Sequence, residues 1–241
     1  MKVLALDSSG MAASVAVAED EKLLAEYTVN YKKTHSQTLL PMLDEIGKMI
    51  ELDLNTVDAI AVAGGPGSFT GLRIGSATAK GLGLALNKPL VHIPTLEGLA
   101  YNLYGTERLI CPMMDARRNQ VYTGLYEFCQ GNLVAVEKQM AVETVKMAEK
   151  LNERKRPVIL LGDGAFVYRK LLEESLTVPY EFAPAHMNQQ KASSLAVLGM
   201  KYVKEGRTET AAAHRPEYLR VSQAERERAK RLQAEAEQRH E

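Results

Sequence analysis

A short apolar run that stops on an aspartate occurs twice in this chain, and the same pattern follows it each time. Residues 2–6 (KVLAL) lead into Asp7 and a turn at Ser8-Ser9-Gly10; residues 109–114 (LICPMM) lead into Asp115 and a turn over 116–119. Two β-type stretches come after the first turn, at 12–18 and 22–30, and two after the second, at 120–128 and 133–138. The tight turns between them predict an antiparallel meander in each half. Each meander gives way to alternating helix and strand. In the first half, Leu39, Leu40, Met42, Leu43, Ile46, Met49 and Ile50 fall on one face of a helix over about 36–50. Ser36 is its expected N-cap, and Pro41 sits in the first turn or bends the helix. A buried strand at 57–63, a helix at 71–86, a strand at 89–93 and a helix at 95–104 follow. The second half continues with a helix at 142–153, a strand at 157–161 and helices at 165–175 and 193–205.

Sequence identity between the halves is low, so the repeat is one of pattern. It predicts an α/β protein of two ribonuclease-H-like lobes, each a mixed sheet with helices, as in the actin, sugar-kinase and Hsp70 superfamily. A chance match of two meanders is the competing explanation. The expected division is an N-terminal lobe at 1–105, a C-terminal lobe at 106–221 and a charged tail at 222–241. That tail has five Lys/Arg, five Glu and one Leu. Lacking an apolar face, it is expected to be a solvated helix or disordered.

Composition excludes several classes of function. With 46% hydrophobic and 25% charged residues among 241, the chain reads as an ordinary globular protein. Its 30 Lys/Arg balance 30 Asp/Glu, which argues against a nucleic-acid-wrapping domain. With no Trp and 6% aromatics, stacking on single strands is disfavoured. The two cysteines, Cys111 and Cys129, make no disulfide framework and are expected to be free, buried thiols in a reducing compartment. The first apolar run is too short for a leader, and none reaches the ~18 residues that span a bilayer. A cytoplasmic protein without a membrane partner is expected.

The segment Gly64-Gly65-Pro66-Gly67-Ser68-Phe69-Thr70-Gly71-Leu72-Arg73-Ile74-Gly75 follows a strand and opens a helix. Its glycines would let backbone N–H groups approach an anion at the positive end of the helix. It lacks the Lys-Ser/Thr pair of a P-loop and is not a dinucleotide fingerprint. A tight strand-to-helix turn capped by Thr70 explains it as well. Gly71, Gly75, Ala79 and Gly83 then recur every fourth residue. Each interior glycine costs a helix about 1 kcal/mol against alanine, so close approach by another element must offset them. That element is either the chain's own sheet or a helix of another subunit. Asp7 and Asp115 end corresponding strands; in actin-like folds an acid there faces a nucleotide-bound metal, though an Asp bonding its own turn is commoner. Arg117 and Arg118 are candidates for phosphate or carboxylate pairing. No two of His35, His92, His186, His214 and His240 stand three or four apart, no cysteine pair has zinc spacing, and no Ser-His-Asp set is assignable. No catalytic residue and no metal ligand is therefore expected.

Taken together, Leu6-Asp7-Ser8-Ser9, Ser14-Val15-Ala16, His35-Ser36-Gln37, Leu39-Leu40-Pro41, the glycine-rich segment, Ala79-Lys80-Gly81-Leu82 and Asp115-Ala116-Arg117-Arg118 resemble the bacterial tRNA threonylcarbamoyladenosine biosynthesis family TsaB, also called YeaZ. The resemblance is strong over 1–128, weak over 129–220 and absent from the tail. It implies a non-catalytic scaffold and activator. Its partner would be a TsaD-like paralogue, whose His-x-x-x-His metal site transfers threonylcarbamoyl to an adenosine next to the anticodon of tRNAs reading ANN codons. A TsaE-like ATPase would dock on the pair, and tRNA would be met only through the complex. Alone, the chain would form a homodimer. The implied pairing surface uses the helices at about 36–50 and 71–86, with Leu39, Met42, Leu43, Ile46, Leu72, Gly75, Ala79 and Leu82 as interface candidates. No cofactor of its own is implied; Asp7, Gly65, Gly67, Ser68 and Thr70 are candidates for touching a nucleotide or anion at the complex interface. The alternative is an active actin-like ATP-binding enzyme, a small-molecule kinase or peptidase-like protein.

Overall fold

The computed structural model describes residues 1–31 and 34–220; the charged tail at 222–241 lies outside the described residues. Ten strands form two five-stranded sheets. The first holds β1 (Lys2–Asp7), β2 (Ala13–Glu19), β3 (Lys22–Val29), β4 (Ala59–Gly65) and β5 (Leu90–Pro94), in the order β3-β2-β1-β4-β5. The second holds β6 (Leu109–Asp115), β7 (Gln120–Cys129), β8 (Asn132–Glu143), β9 (Val158–Leu161) and β10 (Tyr180–Phe182), in the order β10-β9-β6-β7-β8. In each sheet the first three strands pair antiparallel and the last two join parallel. The two orders are the same once β6 is matched to β1, so the lobes share the ribonuclease-H-like topology that the repeated pattern predicts.

Among the described residues seven α-helices cover these sheets: α1 (His35–Met49), α2 (Phe69–Leu86), α3 (Thr95–Tyr101), α4 (Thr144–Arg154), α5 (Asp163–Val167), α6 (Arg169–Ser175) and α7 (Ala192–Lys204). Strand β1 is apolar on both faces because both are covered. Leu4 and Leu6 pack with Val15, Val17, Ile60 and Val62 under α1 and α2. Val3 and Ala5 turn the other way, to a face rich in alanine (Ala16, Ala18, Ala59, Ala61, Ala63) that receives α7. Small side chains there let α7 lie close: a Cβ on its Gly199 would stand 2.9 Å from that of Ala61.

This packing departs from the division at 105/106. Helix α7 belongs to the C-terminal half of the chain, yet Leu195, Ala196, Leu198 and Tyr202 complete the core of the first sheet. Helix α3 precedes that boundary, yet Leu96, Leu99 and Ala100 pack with Ile110, Met114, Tyr126 and Leu161 of the second sheet. The lobes exchange their last helices, so on one face of each sheet the core is completed by the other half of the chain.

Several local expectations are corrected. Thr34, with extended backbone and no side-chain cap bond, precedes α1; Ser36 lies inside its first turn, and Pro41 inside the helix. The stretch at 165–175 is two helices meeting at Tyr168. Strand β8 runs on to Glu143, and β10, only three residues long, was not foreseen. Cys111 is buried, but Cys129 at the end of β7 is exposed; both are free. Among the described residues no helix is long and apolar enough to cross a membrane.

Candidate functional site

The C-terminal ends of β1, β4 and β6 open onto a cleft of about 400 Å³ between the lobes. One wall is the turn after β1. The Ser9 carbonyl accepts from the Ser68 amide at 2.7 Å, and Ser8 Oγ donates to the Gly71 carbonyl at 2.9 Å. The other wall carries Asp115, Arg117, Tyr122 and Asp163. The chain returns across the opening after α7. The Glu217 amide donates to the Gly64 carbonyl (2.7 Å), Tyr218 stacks on Phe69 with centroids 4.3 Å apart, and Arg220 donates to the Ala116 carbonyl at 2.6 Å. Arg73 lies over the Phe69 ring, 4.2 Å from its centroid.

The glycine-rich turn is used mainly by the chain itself. Any side chain at Gly65 would run into the Glu217 carbonyl, one at Gly67 into the Ser9 carbonyl, and one at Gly71 into the Ser8 carbonyl. The Gly65 amide is bound by Thr95 Oγ1 at 3.2 Å. The helix cap is Ser68, whose Oγ accepts from the Gly71 amide at 3.2 Å, and not Thr70, which lies in the first turn. Close backbone approach explains these glycines.

Asp7 and Asp115 end corresponding strands but differ in what they face. Asp7 is 1% exposed and does not line the cleft. Its Oδ1 accepts from the Ser9 amide (2.8 Å) and Ser9 Oγ (2.6 Å), while Oδ2 has no partner among the described residues. Burial pushes its carboxyl up to about 6, against the two Ser9 hydrogen bonds that lower it. Asp115 does line the cleft. Its Oδ1 accepts from the Arg117 amide (2.7 Å) and the Tyr168 hydroxyl (2.8 Å), and its Oδ2 lies 3.4 Å from the Arg117 guanidinium. Asp163, whose Oδ1 accepts from the Asp115 amide at 3.3 Å, is held above the usual carboxylate range by burial. Arg117, Arg118 and Asn119 all take left-handed backbone, with φ of 65°, 57° and 59°. Such conformations are costly for residues with a Cβ. Among the cleft's other polar side chains, His35 Nε2 donates to the Gly10 carbonyl (2.8 Å), Ser9 is tied to Asp7, and Ser68 caps α2.

The interface candidates fall elsewhere than expected. Leu39, Met42, Leu43, Ile46, Leu72, Gly75 and Ala79 are all buried within the single chain, and Leu82 is half-buried. Their stripe faces the first sheet: a Cβ at Gly75 would meet Ser8 Oγ and Val62, and one at Gly83 would run into Leu90. The glycine stripe is thus offset by the chain's own sheet. What the two helices turn outward is a different set. Leu40 (53% exposed), Met49 (74%) and Leu84 (65%) stand in solvent, with Ala77, Gly81 and Ala85 exposed along α2. A Cβ at Gly81 would meet nothing within 4 Å. Periodicity finds an apolar stripe; it does not say which stripe the sheet takes. The returning segment with Glu217 and Tyr218 was missed altogether, because a lone aromatic after Pro216 carries no period.

Comparison with known proteins agrees with this architecture. A family model described as TsaD, tRNA N6-adenosine threonylcarbamoyltransferase, matches residues 22–228. The chain is 35% identical over 227 residues to the tRNA threonylcarbamoyladenosine biosynthesis protein TsaB of Bacillus subtilis, covering 93% of this chain and 96% of that protein. To the protein of the same name from Escherichia coli it is 28% identical over 224 residues, covering 91% and 95%. Among solved structures, YeaZ from Pseudomonas aeruginosa superposes with a TM-score of 0.76 at 28% identity, covering 90% of this chain and 99% of that one.

Proposed function

The chain belongs to the TsaB family of tRNA threonylcarbamoyladenosine biosynthesis proteins, and on that premise we propose that it is a non-catalytic scaffold and activator subunit. In this reading it pairs with a TsaD-like paralogue through the outward side of α1 and α2. A TsaE-like ATPase docks on the pair, and tRNA is met only through the complex. Alone, the chain pairs with itself through the same surface.

The observation that supports this most is the outward side of the two helices. On α2, Leu84 is a large apolar group left in water beside a smooth run of Ala77, Gly81 and Ala85, and α1 leaves Leu40 exposed. Exposed apolar groups of this kind mark a partner site, and small residues let a second helix approach closely. The cleft supports the same reading: its serines and His35 are bonded within the chain. Asp7, Gly65 and Gly67 are engaged by neighbouring main chain and Ser9. The reading assigns no resident cofactor and leaves any nucleotide to the interface between subunits.

The test is co-purification with the cognate TsaD paralogue, with sedimentation of the chain alone. Gly81→Arg and Leu84→Asp should each abolish both the heterodimer and the homodimer while circular dichroism stays unchanged. Leu43→Ala, in the core, should lower stability and leave pairing intact. Retention of both complexes by the two surface variants overturns the reading, as does ATP turnover by the isolated chain that Asp7→Asn removes.

A further inference from the structure

A second cluster of functional side chains lies on the first lobe, outside the residues that line the cleft. After α7 the chain returns to edge strand β5, and Leu90 and Glu209 exchange two backbone hydrogen bonds of 2.9 Å each. The Thr210 carbonyl then accepts from the amides of Ala213 (3.0 Å) and His214 (3.1 Å), folding the segment back on itself. This turn brings His214 beside Glu209, with Nδ1 and Oε1 2.7 Å apart. His92, two residues along β5 from Leu90, presents its ring 5.9 Å from that of His214. Gly64 makes room for it, since any side chain there would overlap the His92 imidazole. One donor atom from each of His92, Glu209 and His214 lies within 4.8 Å of the others.

The second observation is independent of that spacing. His214 is 0% exposed, and its Nε2 has no hydrogen-bond partner among the described residues. A buried imidazole nitrogen ordinarily has a partner, and an unsatisfied one calls for an explanation. With Nδ1 held by the Glu209 carboxylate, Nε2 keeps the free lone pair, the arrangement in which a carboxylate orients a metal-binding histidine. His92, half-buried, is the second imidazole of the set and leaves the remaining positions open to solvent. An ion with bonds near 2.0–2.1 Å places its donors roughly 3.4 Å apart, so rotation of His92 closes the pair.

We propose that His92 and His214, the latter oriented by Glu209, bind one Zn²⁺-class divalent ion, which clips the segment after α7 to edge strand β5. The clip holds the route to Glu217 and Tyr218, which cross the glycine-rich turn three and four residues after His214. Its role is structural and requires no reaction chemistry of this chain.

The experiment uses the untagged full-length protein, stripped with a chelator and titrated with Zn²⁺ by calorimetry and with Co²⁺ by visible absorption. One ion per chain is expected, with a Co²⁺ absorption band that the His92→Gln variant loses. His92→Gln and His214→Gln should each weaken Zn²⁺ binding by more than about 10-fold, the lower bound even for an outer-sphere partner. His35→Gln, His186→Gln and His240→Gln should leave it unchanged. Because His214 is buried, His92→Gln carries the test if the other variant misfolds. Zn²⁺ should also slow proteolysis between Lys204 and Tyr218 in the parent and not in His92→Gln. Absence of stoichiometric binding overturns the proposal, and so does binding indifferent to His92→Gln.

Discussion

Two glycines of one helix should respond oppositely to the same substitution. Gly81 and Gly75 both lie inside α2, and alanine is better than glycine in a helix by about 1 kcal/mol at either position. At Gly81 nothing stands within 4 Å of the added methyl, so Gly81→Ala should gain most of that amount. At Gly75 the methyl would stand 2.5 Å from Ser8 Oγ. That hydroxyl is buried and donates to the Gly71 carbonyl at 2.9 Å. To make room it must rotate away, leaving a buried donor and acceptor unpaired at a cost of about 1–3 kcal/mol. Val62, 3.8 Å away, is in ordinary contact and adds nothing. After the helix gain is deducted, Gly75→Ala should destabilise by about 1 kcal/mol. In a chain of this size each kcal/mol moves the melting temperature by about 2–4 °C. Differential scanning calorimetry should therefore show Gly81→Ala melting about 2–4 °C above the parent and Gly75→Ala about 2–4 °C below it. Equal stabilisation by both would refute the assignment of the glycine stripe to the chain's own sheet.

Two further outcomes follow from burial. The Asp7 carboxyl is held at about 6 in the fold, above its ordinary 3.8, so the native state binds more protons than the unfolded chain between those values. Stability from this group is therefore full below about pH 4 and declines as pH rises to about 6. Asp7→Asn removes the charge; urea unfolding should find it more stable than the parent by about 1–3 kcal/mol at pH 7.5, at about 1.4 kcal/mol per pH unit, with the gap closing by pH 4. A gap that does not change with pH would show that Asp7 does not titrate in that range. The exchange of α3 and α7 makes the second outcome one of fragments. Residues 1–105 alone leave the alanine-rich face uncovered and should show no cooperative unfolding by circular dichroism, while a peptide spanning 190–206 should restore it. Cooperative unfolding of 1–105 alone would contradict the shared core.

The architecture was legible because it is written in short-range pattern. KVLAL ending on Asp7 and LICPMM ending on Asp115 are unbroken apolar runs, as strands covered on both faces must be, each is followed by tight turns and a meander, and the observed sheets share one strand order. Thr34 at the start of α1 and the break at Tyr168 were not legible, since neither residue signals a helix boundary strongly. Leu39, Leu43 and Ala79 show the limit of periodicity more sharply. Their spacing establishes a stripe, and only the sheet beneath them makes it core and leaves Leu40 and Leu84 to the solvent. The sequence alone determined the two β-meanders, the helices after them, and a family resemblance carried by the glycine-rich turn. Tertiary structure decided which sheet each final helix covers, that Asp7 is sealed while Asp115 faces the cleft, and that His92 meets His214. Periodicity is set by the geometry of one element about its own axis. Contacts between residues more than a hundred positions apart depend on how whole layers pack, and no local spacing encodes them.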